Sequence, residues 1–289
     1  NVTIGEKPDV FYAPQMSSAS FIEAERFLFD KGFYNSALTN TRARPVISPV
    51  VELLAKHRAG QLSQEELDSQ IAELASYDVR NDISKYLYRK SVNQQYALNL
   101  SGGSSSLHYT LSGGYDQNLQ NQLSNDYERT TLRSTVISKP VKQLELQAGL
   151  SYTATLAHSH NTAINPGGGK SVIYPYARLA DAAGTALALE KDYRLSFVDT
   201  AGKGRLLDWH YRPLEEAELA DNASRIHDLV LNLGSRYQLL KSQRTELNTE
   251  LRYQYERAST SSREHYSKDT YFARDLVNRY TQLTASSRT

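Results

Sequence analysis

The chain has 289 residues, 39% of them hydrophobic, so it is long enough to bury the core of one large or two ordinary domains. A formal net charge of +1, with no long run of Lys or Arg, gives no electrostatic reason to expect nucleic acid. The absence of cysteine excludes a disulfide framework and a Cys-type zinc site, and no apolar run reaches the roughly 20 residues of a membrane-spanning helix. A transmembrane barrel stays open, because its two-residue pattern escapes a hydropathy window.

In chain order, a strand is expected to end near Ile4, and the segment from about Glu6 to Val92 reads as helical. Ser20 to Tyr34 carries Phe21, Ala24, Phe27 and Leu28 at helical spacing, and Pro49 to His57 is a second candidate. Ser63 and Glu66 form a capping box ahead of Leu67, Ile71 and Leu74, the firmest local sign of a helix start.

From about Asn93 the period changes to two. Tyr96, Leu98 and Leu100 alternate with polar residues, and after a Gly102–Ser106 turn so do Leu107, Tyr109, Leu111 and Tyr115. Tyr127 to Ile137 is a less regular strand, expected to turn at Ser138 to Val141, where Pro140 stops further pairing. Lys142 to Leu156 alternates strictly, with Leu144, Leu146, Ala148, Leu150, Tyr152, Ala154 and Leu156 on one parity. A last pair, Ile226 to Leu240 and Glu246 to Ala258, repeats the pattern with Leu229, Leu231, Leu233 and Tyr237 facing one way, and Leu247, Leu251, Tyr253 and Tyr255 likewise.

The connections also alternate. Gly102 to Ser106, Ser138 to Val141 and Lys241 to Thr245 are short; Asp116 to Asp126, Ala157 to Arg225 and everything after Ser259 are longer. Short turns at one rim and long loops at the other is the layout of an outer-membrane barrel. The strands exceed the five or six residues of a typical globular strand and suit the 9 to 11 or so of a tilted membrane strand. On the apolar parity of the cleanest strands no charged residue occurs until the ends, while the other parity carries Glu145, Gln147, Asp228, Asn232, Arg236, Glu250, Arg252 and Gln254. Lipid outside and water inside impose that division, and so does a well-packed soluble sandwich. Twenty tyrosines against seven Phe and one Trp suit a surface that is wet on one side. Tyr115 and Tyr127, flanking a long connection, with Tyr253 and Tyr255 towards the long-loop end of the last strand, are expected to form an interfacial belt.

Three stretches, Asn93 to Asn118 (NQQYALNLSGGSSSLHYTLSGGYDQN), Tyr174 to Glu216 and Tyr266 to Leu283, resemble barrel strands and outer loops of SusC/RagA-type TonB-linked outer-membrane proteins of Bacteroidetes. The resemblance extends over most of the chain, including the helical excursion that follows Asn1 to Ser18. It implies a mainly β chain, a partial antiparallel transmembrane barrel of about seven strands out of about 22. In this layout 1–92 is the end of a strand plus a helix-containing outer loop, 93–156 four barrel strands, 157–225 a long outer loop, 226–258 a barrel hairpin and 259–289 an outer loop. It further implies residence in the Gram-negative outer membrane in contact with lipid, a SusD-type surface lipoprotein as partner, TonB acting through a plug expected elsewhere in a longer parent protein, and import of oligosaccharides or peptides.

No residue set points to catalysis, and no cofactor is expected. Asn165 to Ser171 (NPGGGKS) contains Gly-Lys-Ser, but Ile164 stands where a phosphate loop needs its first glycine, so a glycine loop is the expectation. His158 and His160 lack a third ligand at metal spacing. Asp199 to Gly204 (DTAGKG) lacks the acidic ladder of a calcium loop and reads as a turn. Glu215, Glu216, Glu218 and Asp221, near Arg225, read as a helix start or a charged outer surface. Ligand contact falls to aromatic platforms in the longest loop, with Trp209, Tyr211, Tyr174 and Tyr176 as candidates. The competing reading is a soluble all-β glycan-binding module whose apolar faces pack together.

Overall fold

The computed structural model describes residues 1–159, 173–242 and 244–286. It divides into two compact units, a sheet unit and a unit built from the long connections.

The sheet has seven antiparallel strands in sequence order and does not close on itself. They are β1 (Val2–Gly5), β2 (Ser91–Gly103), β3 (Leu107–Leu119), β4 (Asp126–Val141), β5 (Leu144–Ser159), β6 (Ala220–Lys241) and β7 (Glu246–Tyr266). This is the fold class the period-two pattern implies: mainly β, an open segment of an antiparallel barrel wall.

Register decides whether the apolar residues of separate strands form one surface. Leu98 pairs with Gly113, Gly113 with Leu132, Leu132 with Tyr152 and Tyr152 with Leu229. The neighbouring row runs Leu100, Leu111, Ser134, Leu150 and Leu231. Directly paired residues share a face, so every apolar row joins into one continuous band. The stretch of β5 from Leu144 to Ala154, at about 3.3 Å per residue and a tilt of about 40°, rises about 25 Å, the height of an outer-membrane apolar belt. The row above it brings in Glu128 and Arg225.

This band is open. Leu98 is 64% exposed and Leu251 73%, and within the sheet unit the buried apolar set of the described residues contains only Ala223. Where the ring of Tyr109 lies over Gly102, a Cβ would stand 2.6 Å from the phenolic oxygen, so the aromatic ring fills the place of the missing side chain.

Several strands run past their expected ends. The β3–β4 connection shrinks to 120–125, β4 continues through Pro140 to Val141 with a register shift between Ser138 and Val141, and the turn is 142–143. A bulge accommodates a proline that has no N–H to give to the ladder. Strands β6 and β7 reach 22 and 21 residues, well beyond the expected Ala258 boundary. Tyr253 and Tyr255 therefore sit well inside β7, not near its outer end. Tyr127 pairs with Asn118, which pairs with Asn93, and so lies on the polar face, opposite to Tyr115. The outward aromatic row is instead Tyr96 stacked on Tyr115 (6.4 Å) and Tyr152 stacked on His227 (6.3 Å), the latter joined by a 3.0 Å hydrogen bond between the Tyr152 hydroxyl and His227 Nδ1.

The second unit gathers Lys7–Arg89 with the described parts of the connections after β5 and β7. Its helices are α1 (Ser18–Asp30), α2 (Asn35–Thr39), α3 (Pro49–Arg58), α4 (Gln64–Ala75), α5 (Val79–Tyr86), α6 (Leu195–Val198), α7 (Pro213–Leu219) and α8 (Tyr271–Ser286). The Ser63/Glu66 capping box forms as the sequence predicts. Here lies the buried core: Ile22, Val50, Leu67, Ile71 and Tyr176 in one cluster, Val79, Ile83, Leu87 and Leu179 in another. The segment 173–179 is thereby stapled to helices more than ninety positions earlier, with Val79 N–H donating to Pro175 O (2.7 Å) and Leu179 N–H to Asp82 Oδ2 (2.7 Å).

Candidate functional site

The face opposite the apolar band is polar. One row runs Asn99, Ser112, Arg133 and Ser151, and another Gln95, Asp116, Arg129 and Thr155, interrupted by Ile137, Ile226 and Val230. Several charges on this face are paired: Arg129 with Asp116 at 2.7 Å, Lys139 with Glu145 at 3.1 Å, and Glu250 between Arg252 at 2.5 Å and Arg236 at 3.6 Å. A concavity of about 460 Å³ lies over Glu145, Gln147, Asn232, Arg236, Glu250 and Arg252. Exposed pairs of this kind add little stability. Their chemical capacity is to keep a hydrophilic solute hydrated beside a wall of both charge signs.

In the loop unit the four candidate aromatics occupy two separate places. Tyr176 is buried; its hydroxyl donates to Glu25 Oε2 at 2.8 Å, and its ring stacks on Tyr174 at 5.5 Å and meets Phe21 edge-on at 6.1 Å. Burial raises the Glu25 carboxyl above its ordinary value, only partly offset by hydrogen bonds from Ser48 and Tyr176. Tyr174 is half-buried and lines a cleft described below. Trp209 is 3% exposed, donates Nε1–H to Asp275 at 2.9 Å and packs against Tyr193 and Phe197. Tyr211 is half-buried, meets the Tyr271 ring edge-on at 5.4 Å beneath Lys191, and its hydroxyl is pushed up to about 12 by burial.

A charged knot around Trp209 gave no sequence signal beyond local charge density. His210 bridges two carboxylates, Asp208 through Nδ1 (2.6 Å) and Asp199 through Nε2 (2.9 Å), while Arg212 (2.6 Å) and Arg274 (3.3 Å) close on Asp208. Burial alone would raise the Asp208 carboxyl, but hydrogen bonds from Arg212 and His210 hold it far below the ordinary range.

The weaker motifs take ordinary places. Asp199 to Gly204 forms a turn ending in a 3-10 helix over Ala201–Gly204. Glu215 and Glu216 lie in the first turn of α7, where a helix dipole favours acids; Glu216 accepts from Tyr271 N–H, and Asp221 pairs with Arg263 at 2.7 Å. His158 Nδ1 is 2.7 Å from Asp126. His160 and the Asn165–Ser171 glycine loop lie outside the described residues. Among the described residues no three His, Asp or Glu side chains converge as metal ligands, and no helix is long and apolar enough to cross a membrane, which leaves crossing by strands untouched.

No family model matches the sequence, and no curated protein does. Eleven chains of known structure match. They include the RagAB peptide transporter, with a TM-score of 0.55 at 17% identity over 91% of this chain and 28% of that one. The RagAB peptide importer in its closed-closed state gives 0.55 at 17% over 93% and 28%, and in its open-open state 0.53 at 17% over 90% and 27%. This chain spans little more than a quarter of those chains. At this identity the likeness is one of fold: an open antiparallel wall with long helical connections, similar to a segment of the RagAB peptide-transporter chains.

Proposed function

We propose that this chain is part of the barrel wall and outer loops of a SusC/RagA-type, TonB-dependent importer in the Gram-negative outer membrane. The observation that carries this reading is the continuous, uncharged, exposed apolar band about 25 Å tall, set back to back with a polar face. In a soluble glycan-binding module, the runner-up reading, residues such as Leu98 and Leu251 would pack into a core, yet they are among the most exposed large apolar side chains. The fold likeness to RagAB chains supports the same assignment and favours peptides over oligosaccharides as cargo.

The chemistry is binding and gated passage, with no covalent step and no cofactor. The polar rows line the route. The loop unit meets the cargo and a surface lipoprotein, with Tyr174 and Tyr211 as the candidate contacts that retain accessible edges. TonB acts on a plug belonging to the parent protein.

Spin labels at single cysteines in the vesicle-reconstituted protein test the wall. Labels at Leu98→Cys, Leu111→Cys and Leu150→Cys are expected to collide with oxygen dissolved in lipid, and labels at Asn99→Cys, Thr110→Cys and Ser151→Cys with a water-soluble nickel chelate. Equal water accessibility at both sets overturns the membrane assignment.

A further inference from the structure

The loop unit contains a cleft whose chemistry the wall reading does not use. It opens between α3, α4 and the 187–199 segment, and a cavity of about 370 Å³ there has an apolar floor of Pro49, Leu53, Leu74 and Leu195. The cavity continues past Glu190 towards Tyr77 and Tyr174.

Its walls are acidic, and the four carboxylates differ. Glu73 and Asp199 are exposed and engaged, the first by the Tyr77 hydroxyl at 2.6 Å and the second by His210. Glu52 and Glu190 are half-buried, and neither has a cation within ion-pair distance among the described residues. Glu52 Oε1 is shielded from water and has no hydrogen-bond partner. Burial, with Glu52 nearby, raises the Glu190 carboxyl to about 7. Lys56 is an exposed ammonium on the lining, and Arg178, further along, stacks on Tyr77.

A shielded carboxylate without a counter-charge is costly. A group that brings a positive charge on an apolar stem satisfies both the walls and the floor. We infer that this cleft binds the basic side chain of a peptide, lysine or arginine, with its methylenes on Leu53, Leu74 and Leu195 and its cation between Glu52 and Glu190. As a statement about cargo this rests on the importer reading; as a statement about binding it concerns the loop unit alone.

Calorimetry on the intact protein in detergent tests the binding statement. The probes are Ala-Lys-Ala and Ala-norleucine-Ala, both N-acetylated and C-amidated, so that the side chain carries the sole cation. The lysine peptide is expected to bind about tenfold or more tighter. The E52Q/E190Q variant loses that preference, whereas K56E strengthens lysine-peptide binding, a gain that misfolding cannot produce. An E65Q variant, altered on the exposed first turn of α4, keeps the wild-type preference. Equal binding of the two peptides, no binding of either, or a preference that survives in E52Q/E190Q overturns the inference. The spin-label result on the wall is independent of each of these outcomes.

Discussion

A side chain's position in a row matters more here than its identity. Leu150 stands in the middle of the apolar band beside Ser134 and Leu231, while Ser151, the next residue, pairs with Arg133 on the polar face. Leu150→Arg is expected to cost about 2–4 kcal/mol of folding stability in vesicles, and Ser151→Gln, a polar change opposite Arg133, close to nothing, as measured by reversible denaturant titration. Asp208 provides a second handle. Its carboxyl is held below the unfolded value, so its contribution is present above about pH 4 and is lost as pH falls towards the folded value. Trp209, the one tryptophan, is adjacent and buried. Its fluorescence should shift to the red as the medium is acidified below pH 4, and D208N should show part of that shift at neutral pH.

Elements whose period follows a solvent boundary were legible, and those held by polar contacts were not. Alternation located β2 to β7 because opposite faces meet different media, and Ser63 and Glu66 marked α4 because the capping box is local. Replacing Ser63 with Ala is expected to cost about 1 kcal/mol, read as faster amide exchange in the first turn of α4. Helix α8 stands where the sequence predicts an outer loop, and its packing is inverted. Tyr271, Arg274 and Asn278 are buried, with Asn278 bonded to both N–H and C=O of Leu207, while Phe272, Leu276 and Tyr280 are exposed. An apolar-period search reads such a helix backwards. Helix α5 lies in the segment that reads as helical, but its bounds carry no signal of their own because Val79 and Ile83 are its only buried residues, too few to set a period. Strand ends were underestimated because beyond the apolar band both faces are polar and alternation fades, although the ladder continues.

For the whole molecule, the connections on one side of the sheet (104–106, 142–143 and 242–245) are short, while 6–90 and 160–219 leave from the other. Epitope tags test the orientation this implies. A tag in 104–106 is expected to stay hidden from antibody on intact cells and to become accessible after permeabilisation, whereas a tag at Gly60, exposed after α3, is accessible on intact cells. The reverse pattern contradicts the proposed sidedness. The long connections, separate in sequence, form one unit with its own core, and this is where the aromatic candidates went: Tyr176 and Trp209 into the interior, Tyr174 and Tyr211 to its half-buried margin.

The sequence by itself determined the two-faced wall, the order of short and long connections and the capped helix, since each follows from spacing along a few neighbouring residues. Tertiary structure alone decided that the apolar rows line up in register, that β6 and β7 run so far, and that Glu52 and Glu190 share a cleft with Leu53, Leu74 and Leu195. Those facts depend on pairings between residues tens to more than a hundred positions apart, and no local pattern encodes which distant partner a side chain will meet.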